Sequence, residues 1–320
     1  MSALRGTAPR RCGVRRRALA GVAALASAAW LPVHAQEIVF ASAQDGSRVL
    51  GAKDEFVERM SPFDRAARMK TDRPVTETEY LAFAAGAARD WDAAARKTVA
   101  AAFQGIEPQL HALKLPLPKR VLLIETTGKE EGDTAYTRAD AVILPQKLDG
   151  TPDRLPKVLA HELFHIASRA NPRLAEALYA TIGFHPCKEP AYPPELFARK
   201  LTNPDAPRND YCIAVTVEGA KVDVTPILYS RTSGYDTARG GEFFDYLQLG
   251  FLVVPTTTPA RVAGVRELSG FVEQIGQNTQ YVIHPEEILA DNFSLLVTGE
   301  TAVRSPEVLE RMKRALAEFK

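Results

Sequence analysis

The pentapeptide His161-Glu162-Leu163-Phe164-His165 constrains this chain more than any other stretch of it. Two histidines four residues apart lie on one face, one turn from each other, only if the backbone is helical there. The flanks agree with a helix running through Ser168: Pro156 is tolerated in a first turn, and Asn171-Pro172 breaks the run. Imidazoles set one turn apart can bind a single tetrahedral metal ion. Glu162 projects close to the same face. It can take a proton from metal-bound water, whose pKa falls from about 15.7 toward ~7.

The text around the motif alternates in kind. From Asp54 to Leu113 it reads as helical. Asp54–Met69 breaks at Ser61-Pro62, Thr76-Glu77-Thr78-Glu79 opens a helix through Ala88 with a capping pattern, and Trp91–Leu113 continues to Pro116 and Pro118. The period then changes. Arg120–Thr127 reads as a buried strand and Ala135–Leu144 as a second, stopped by Pro145. After the motif helix, Leu174–Ile182 reads as another helix, and His185–Asp210 is Pro-rich and irregular. Tyr211–Val217 and Lys221–Tyr229 flank Glu218-Gly219 as a hairpin, with Phe243–Pro255 as a further strand. The chain turns helical again from Pro285 to Leu296, and a last amphipathic helix follows Ser305-Pro306. The expected fold class is α+β: a helical N-terminal region over residues 36–115, packed on a catalytic domain with a small mixed sheet over 116–320.

Residues 1–35 are set apart from the fold. Arginines at 10, 11, 15, 16 and 17 precede an apolar, Ala-rich run from Ala18 to Leu31, which is short of the ~20 residues a bilayer span takes. Val33-His34-Ala35 then offers a small residue at a cleavage position. This is the layout of a signal peptide, so the mature chain is expected to be periplasmic or secreted, without stable membrane insertion. Its two cysteines, Cys187 and Cys212, are expected to form one disulfide in that compartment. With a formal net charge of +1, nothing points to a nucleic acid partner.

His161-Glu162-x-x-His165 resembles the HExxH motif of zincin metallopeptidases, within them the glutamate zincins, the thermolysin-like branch. In that branch a Glu on a later helix is the third zinc ligand, with an Asp one turn after it. The resemblance gives these roles to Glu287 and Asp291, in His284-Pro285-Glu286-Glu287-Ile288-Leu289-Ala290-Asp291. Of the remaining histidines, His111, His185 and His284 have no paired spacing, which also favours a carboxylate ligand. Glu287 is preferred over Glu286 because only Glu287 has an Asp four residues on. Asp291 would accept the free N–H of His161. Glu176, on the next helix, is the rival, with a surface role expected for it. Ala135–Leu144 would be the sheet edge that pairs with substrate backbone. Tyr281 is expected to stabilise an oxyanion, with His284 next in line. The chain departs from thermolysin in the long gap between His165 and Glu287, and it lacks the Gly and His that would follow the motif in metzincins.

Two functions are therefore expected from the sequence. The first is a zinc hydrolase acting on a peptide or protein substrate, with Zn2+ held by His161, His165 and Glu287. The second is a catalytically degenerate zincin that binds an envelope partner. Glu162 favours the first, since a structural zinc site has no use for that carboxylate. Substrate preference and oligomeric state stay open at this level.

Overall fold

Glu37–Phe40 form a strand, β1, where the sequence reads as helical. The computed structural model describes residues 37–150, 153–255 and 260–319; the segment read as a signal peptide lies outside them. Helices α1 (Ala43–Leu50), α2 (Glu55–Arg59), α3 (Pro62–Arg68) and α4 (Glu77–Ala85) come next. Ser61-Pro62 separates α2 from α3, and Thr76 and Glu79 form the expected capping box on α4. A two-residue strand, β2 (Ala88–Arg89), leads to α5 (Ala93–Ala112) and β3 (Arg120–Thr126). β1 runs parallel to β3, with Glu37 opposite Arg120, and β2 pairs antiparallel with the end of β3. The expected purely helical region thus adds two strands to a sheet. Four residues of β1 carry too little local pattern to announce a partner some eighty positions away, because strand preference depends on what the strand packs against. Residues Gln36–Lys320 form one compact unit.

The run Ala135–Leu144 is a hairpin rather than one strand. β4 (Tyr136–Arg138) and β5 (Ala141–Pro145) are antiparallel, joined through Ala139, whose φ is +52°. That conformation usually selects Gly or Asn, so an alanine there conceals the turn. β5 inserts parallel to β3, giving a mixed sheet of order β1-β3-β5-β4 with β4 at its edge.

After β5 come α6 (Leu155–Ala170), α7 (Pro172–Ala180), β6 (Phe184–Pro186) and α8 (Pro194–Phe197). A second sheet, antiparallel throughout, is built from β6, β7 (Tyr211–Val217), β8 (Ala220–Ser230), β9 (Leu247–Val254) and β10 (Val262–Ala263). Glu218 and Gly219 both take positive φ in the β7–β8 turn, as the hairpin signal requires. A disulfide joins Cys187, just after β6, to Cys212 in β7. The chain closes with α9 (Phe271–Ile275), α10 (Pro285–Thr298) and α11 (Pro306–Glu318). Among the described residues, no helix is long and apolar enough to cross a membrane.

α6 is buried on most of its surface, unlike a helix with one wet face. Its main partner is α10: Phe164 meets Phe293 with ring centroids 5.5 Å apart, and Ile288, Leu289 and Phe293 are fully buried. The main core surrounds this pair with α5, α7, α11, the inner strands of the first sheet and β7–β9.

Candidate metal centre

The polar residues at the α6–α10 contact converge on one point. His161 and His165 stack edge to face, ring centroids 4.7 Å apart. One oxygen of Glu287, Oε2, lies 3.1 Å from His161 Nε2 and 3.6 Å from His165 Nε2. Donor atoms of these three residues all fall within 4.8 Å of one another, and the group can hold a metal ion. The far nitrogens are fixed as well. His161 Nδ1 is 3.0 Å from Asp291 Oδ1, and His165 Nδ1 is 2.8 Å from Glu286 Oε1. Each carboxylate is braced in turn: the Thr279 hydroxyl donates to Asp291, and the Ser168 and Tyr179 hydroxyls donate to Glu286. Asn203 Nδ2 donates to Glu287 Oε1 at 2.6 Å, leaving Oε2 for the histidines.

Carboxylates outnumber cations here, and the titrations follow. Burial works to raise Glu287, but the two imidazoles prevail and hold it well below the usual carboxylate range. Burial works to lower His161, yet Asp291 and Glu287 lift it to about 10. His165 rises in the same way, against burial, under Asp205, Glu287 and Glu286. Glu162 is pushed up to about 8, first by burial and then by Asp205. It is 4% exposed, and its Oε2 has no hydrogen-bond partner among the described residues. The site therefore gathers acidic oxygen around two imidazoles, whose raised titration answers it, with Arg169 beside Asp205 at 3.8 Å.

The structure brings together most of the sequence-expected residues. His161, Glu162, His165, Glu287 and Asp291 share the centre, and Asp291 meets His161 as anticipated. Tyr281, 42% exposed, lines a cavity of about 500 Å³ together with His161 and Glu287. His284 is elsewhere: it caps α10, with Nδ1 accepting the Glu286 N–H at 3.1 Å, and faces Tyr179 on the opposite side. Burial lowers it to about 4. Glu176 is exposed on α7 and outside the group, and His185 is exposed beside Asp223.

Four residues have functions that sequence reading missed. Glu286 was passed over as a ligand and instead braces His165. The doublet Glu286-Glu287 could have signalled this, since neighbours on a helix diverge by about 100° and can reach two histidines a turn apart. Asn203 and Asp205 come from the Pro-rich segment and carry no local signal. Asp205 lies within ligand distance of Glu162 and His165. It also accepts the Thr137 N–H at 2.8 Å. That N–H is the one β4 turns away from β5, so the expectation that Ala135–Leu144 offers a free sheet edge to substrate needs correcting. Only β4 is an edge, and its outward donor is occupied by the chain itself. Arg169 adds to this cover, donating to the Thr137 hydroxyl at 2.7 Å and to the Ala139 carbonyl at 2.9 Å.

The far wall of the cavity is a second buried ion cluster. Arg68 Nη2 lies 2.6 Å from Glu131 Oε1 and Nε lies 2.8 Å from Oε2, while Nη1 donates to Asp64. Leu201, Leu228, Phe243, Leu247 and Ile283 line the cavity between the two clusters. Compared with protein-family models, with curated proteins and with solved structures, the chain matches none of them.

Proposed function

We propose that the protein is an exported zinc-dependent hydrolase of the zincin type that cleaves peptide bonds. The observation that carries this reading is the convergence of His161 Nε2, His165 Nε2 and Glu287 Oε2, with the unpaired oxygen of Glu162 beside them. The donor set of two nitrogens and one oxygen suits zinc, and catalytic zinc sites keep three protein ligands and one open position. The braced Nδ1 atoms fit the same group, because each carboxylate fixes the tautomer that leaves Nε2 free to ligate. His161, His165 and Glu287 would hold the ion, which would supply Lewis acidity toward a substrate carbonyl and toward water.

The remaining work falls to side chains. Glu162, whose Oε2 has no hydrogen-bond partner among the described residues, would as a carboxylate take the proton of the attacking water and pass it to the leaving amine. Tyr281, at the cavity mouth, donates its hydroxyl to the developing oxyanion. The Cys187–Cys212 disulfide supports a periplasmic or secreted location. The test is zinc content and casein digestion measured on the same preparation. About one zinc per chain with cleavage that a chelator abolishes is the expected result. Zinc without cleavage by the wild-type protein would favour the degenerate, partner-binding alternative, and no zinc would remove both.

A further inference from the structure

Two cavities meet at the segment Asn203–Asp205. The first, about 500 Å³, is lined by His161 and Glu287 and borders β4 at Tyr136. The second, about 600 Å³, borders the same strand at Arg138. Pro204 and Asp205 line both and form the partition between them. The partition stands opposite Thr137, the one residue of β4 between the two borders, and Asp205 accepts its outward N–H. An extended chain pairing with β4 would need that N–H and would have to pass through the space that Pro204 and Asp205 fill.

Resting on the hydrolase reading above, we infer that the two cavities are halves of one peptide track along β4, and that Asn203–Asp205 is an internal strap occupying it. The strap imitates what it displaces. It gives β4 an acceptor through Asp205 and gives Glu287 a donor through Asn203. Its ends are anchored on the body of the protein, and its middle is held by Asn203 on Glu287, by Asp205 on Thr137 and by Arg169 beside Asp205. Thr202 is fixed to the ion cluster, with its N–H on Asp64 at 2.8 Å and its carbonyl accepting from Arg68 at 3.1 Å. Asn209 is fixed by its N–H on Glu189 at 3.0 Å and its side chain on the Pro226 carbonyl at 2.8 Å. Pro204 and Pro207 stiffen the span, so it moves as a piece about those anchors. With the strap lifted, the two cavities become continuous past α10, Glu287 lining the first and Glu286 the second, as cutting within a chain rather than at its end requires.

The test uses zinc-loaded Glu162→Gln protein, in which bound peptide stays intact, titrated with fluorescein-labelled oxidised insulin B chain. Asp205→Ala and Asp205→Asn are added to that background, and each protein is checked for zinc content and for a folded melting transition. Asp205→Ala is expected to bind the chain about tenfold more tightly, since it removes the closed state that competes with substrate. Asp205→Asn keeps an acceptor for Thr137 and is expected to stay close to the parent. Equal or weaker binding by Asp205→Ala overturns the strap. Loss of zinc from Asp205→Ala also overturns it, because Asp205 would then be a ligand. Absence of binding in every variant overturns the track, while casein digestion by the wild-type protein would leave the hydrolase reading standing.

Discussion

The two buried ion clusters on either side of the main cavity solve the same electrostatic problem differently. Around Arg68, the carboxylates of Asp64 and Glu131 share one guanidinium that hydrogen-bonds both and also packs 4.2 Å from the centre of the Phe243 ring; it balances one of the two charges, and burial pushes the Glu131 carboxyl up. Around His161 and His165 there are Glu162, Asp205, Glu286, Glu287 and Asp291, and no lysine or arginine bonds Glu287, the carboxylate at the centre. Buried charge is costly unless paired. The first cluster is held by a permanent cation of the chain. The second is held by imidazoles, which can give up their protons to a metal ion, and its three central donors form a group that could hold one. The contrast is between a fixed cation and an exchangeable one.

The sharpest break in this comparison is chemical. Glu287→Ala is expected to lose zinc almost wholly, because two histidines alone leave the ion under-coordinated. Glu162→Gln is expected to keep zinc and lose about 10²–10⁴ in peptide turnover, as removal of a general base does. Metal analysis and casein digestion on both variants decide it. Wild-type turnover in Glu162→Gln would place the chemistry elsewhere.

Arg68→Met tests the other cluster. It strands Asp64 and Glu131 as buried carboxylates, a loss of about 3–5 kcal/mol in unfolding free energy. Urea denaturation is expected to report that loss equally with zinc and with chelator, since the cation removed belongs to the chain. For the wild-type protein the opposite holds: zinc at about a hundred times its Kd adds about 2.7 kcal/mol and chelation takes it away. A zinc-dependent penalty in Arg68→Met would mean the two clusters are not independent.

The sequence made the binding cluster more legible than the structural one. His161 and His165 announce themselves by spacing, and Glu287 with Asp291 by a second helical spacing, so both halves of the centre are written locally on α6 and α10. The helices themselves were readable from Pro156, Asn171-Pro172 and Pro285. Arg68, Asp64 and Glu131 carry no such pattern: the first two lie a turn apart on α3, like many surface pairs, and Glu131 arrives from a loop after β3. Long-range partners explain the other misses. β1 depends on β3, and the functions of Asn203 and Asp205 depend on where a Pro-rich segment crosses β4. The turn at Ala139 was hidden because an alanine occupies a conformation that glycine or asparagine would have advertised.

A third buried charge sharpens the contrast because, among the described residues, no carboxylate forms an ion pair with it. Lys200 is pushed down to about 8 by burial, with Arg59 adding to the effect, and its ammonium lies 5.1 Å from the centre of the Tyr192 ring. Below pH about 8 the lysine is protonated in both the folded and the unfolded chain, and the full cost of burying it is felt. Between about 8 and the unfolded value of 10.5 the folded protein has shed a proton that the unfolded chain keeps, so the cost shrinks with rising pH. Lys200→Met is therefore expected to stabilise the protein at pH 7, by about 3 kcal/mol at most, and to lose that advantage toward pH 10.5. Paired urea titrations at pH 7 and pH 10 measure the difference. An advantage that stays constant, or grows, with pH would show that the lysine is not the source.

The smallest effects are expected from the carboxylates that brace the histidines, and they divide the binding cluster more finely. Asp291 and Glu286 contact the two Nδ1 atoms at similar distances, 3.0 and 2.8 Å, but their settings differ. Asp291 is partly open to solvent and has one hydroxyl, that of Thr279, behind it. Glu286 is 2% exposed and holds two, from Ser168 and Tyr179. Removing such a brace frees the imidazole to turn and to change tautomer, which weakens metal binding by about 10–100-fold. Asp291→Ala is expected near the low end, because water can replace the lost acceptor at His161. Glu286→Ala is expected near the high end, because His165 is 1% exposed and the Tyr179 hydroxyl loses its acceptor together with the imidazole. Competition with a chromophoric chelator gives both affinities on one scale. A larger loss from Asp291→Ala than from Glu286→Ala would mean that solvent exposure does not soften the loss of a brace. The two histidines would then be held by something other than the partners on their far nitrogens.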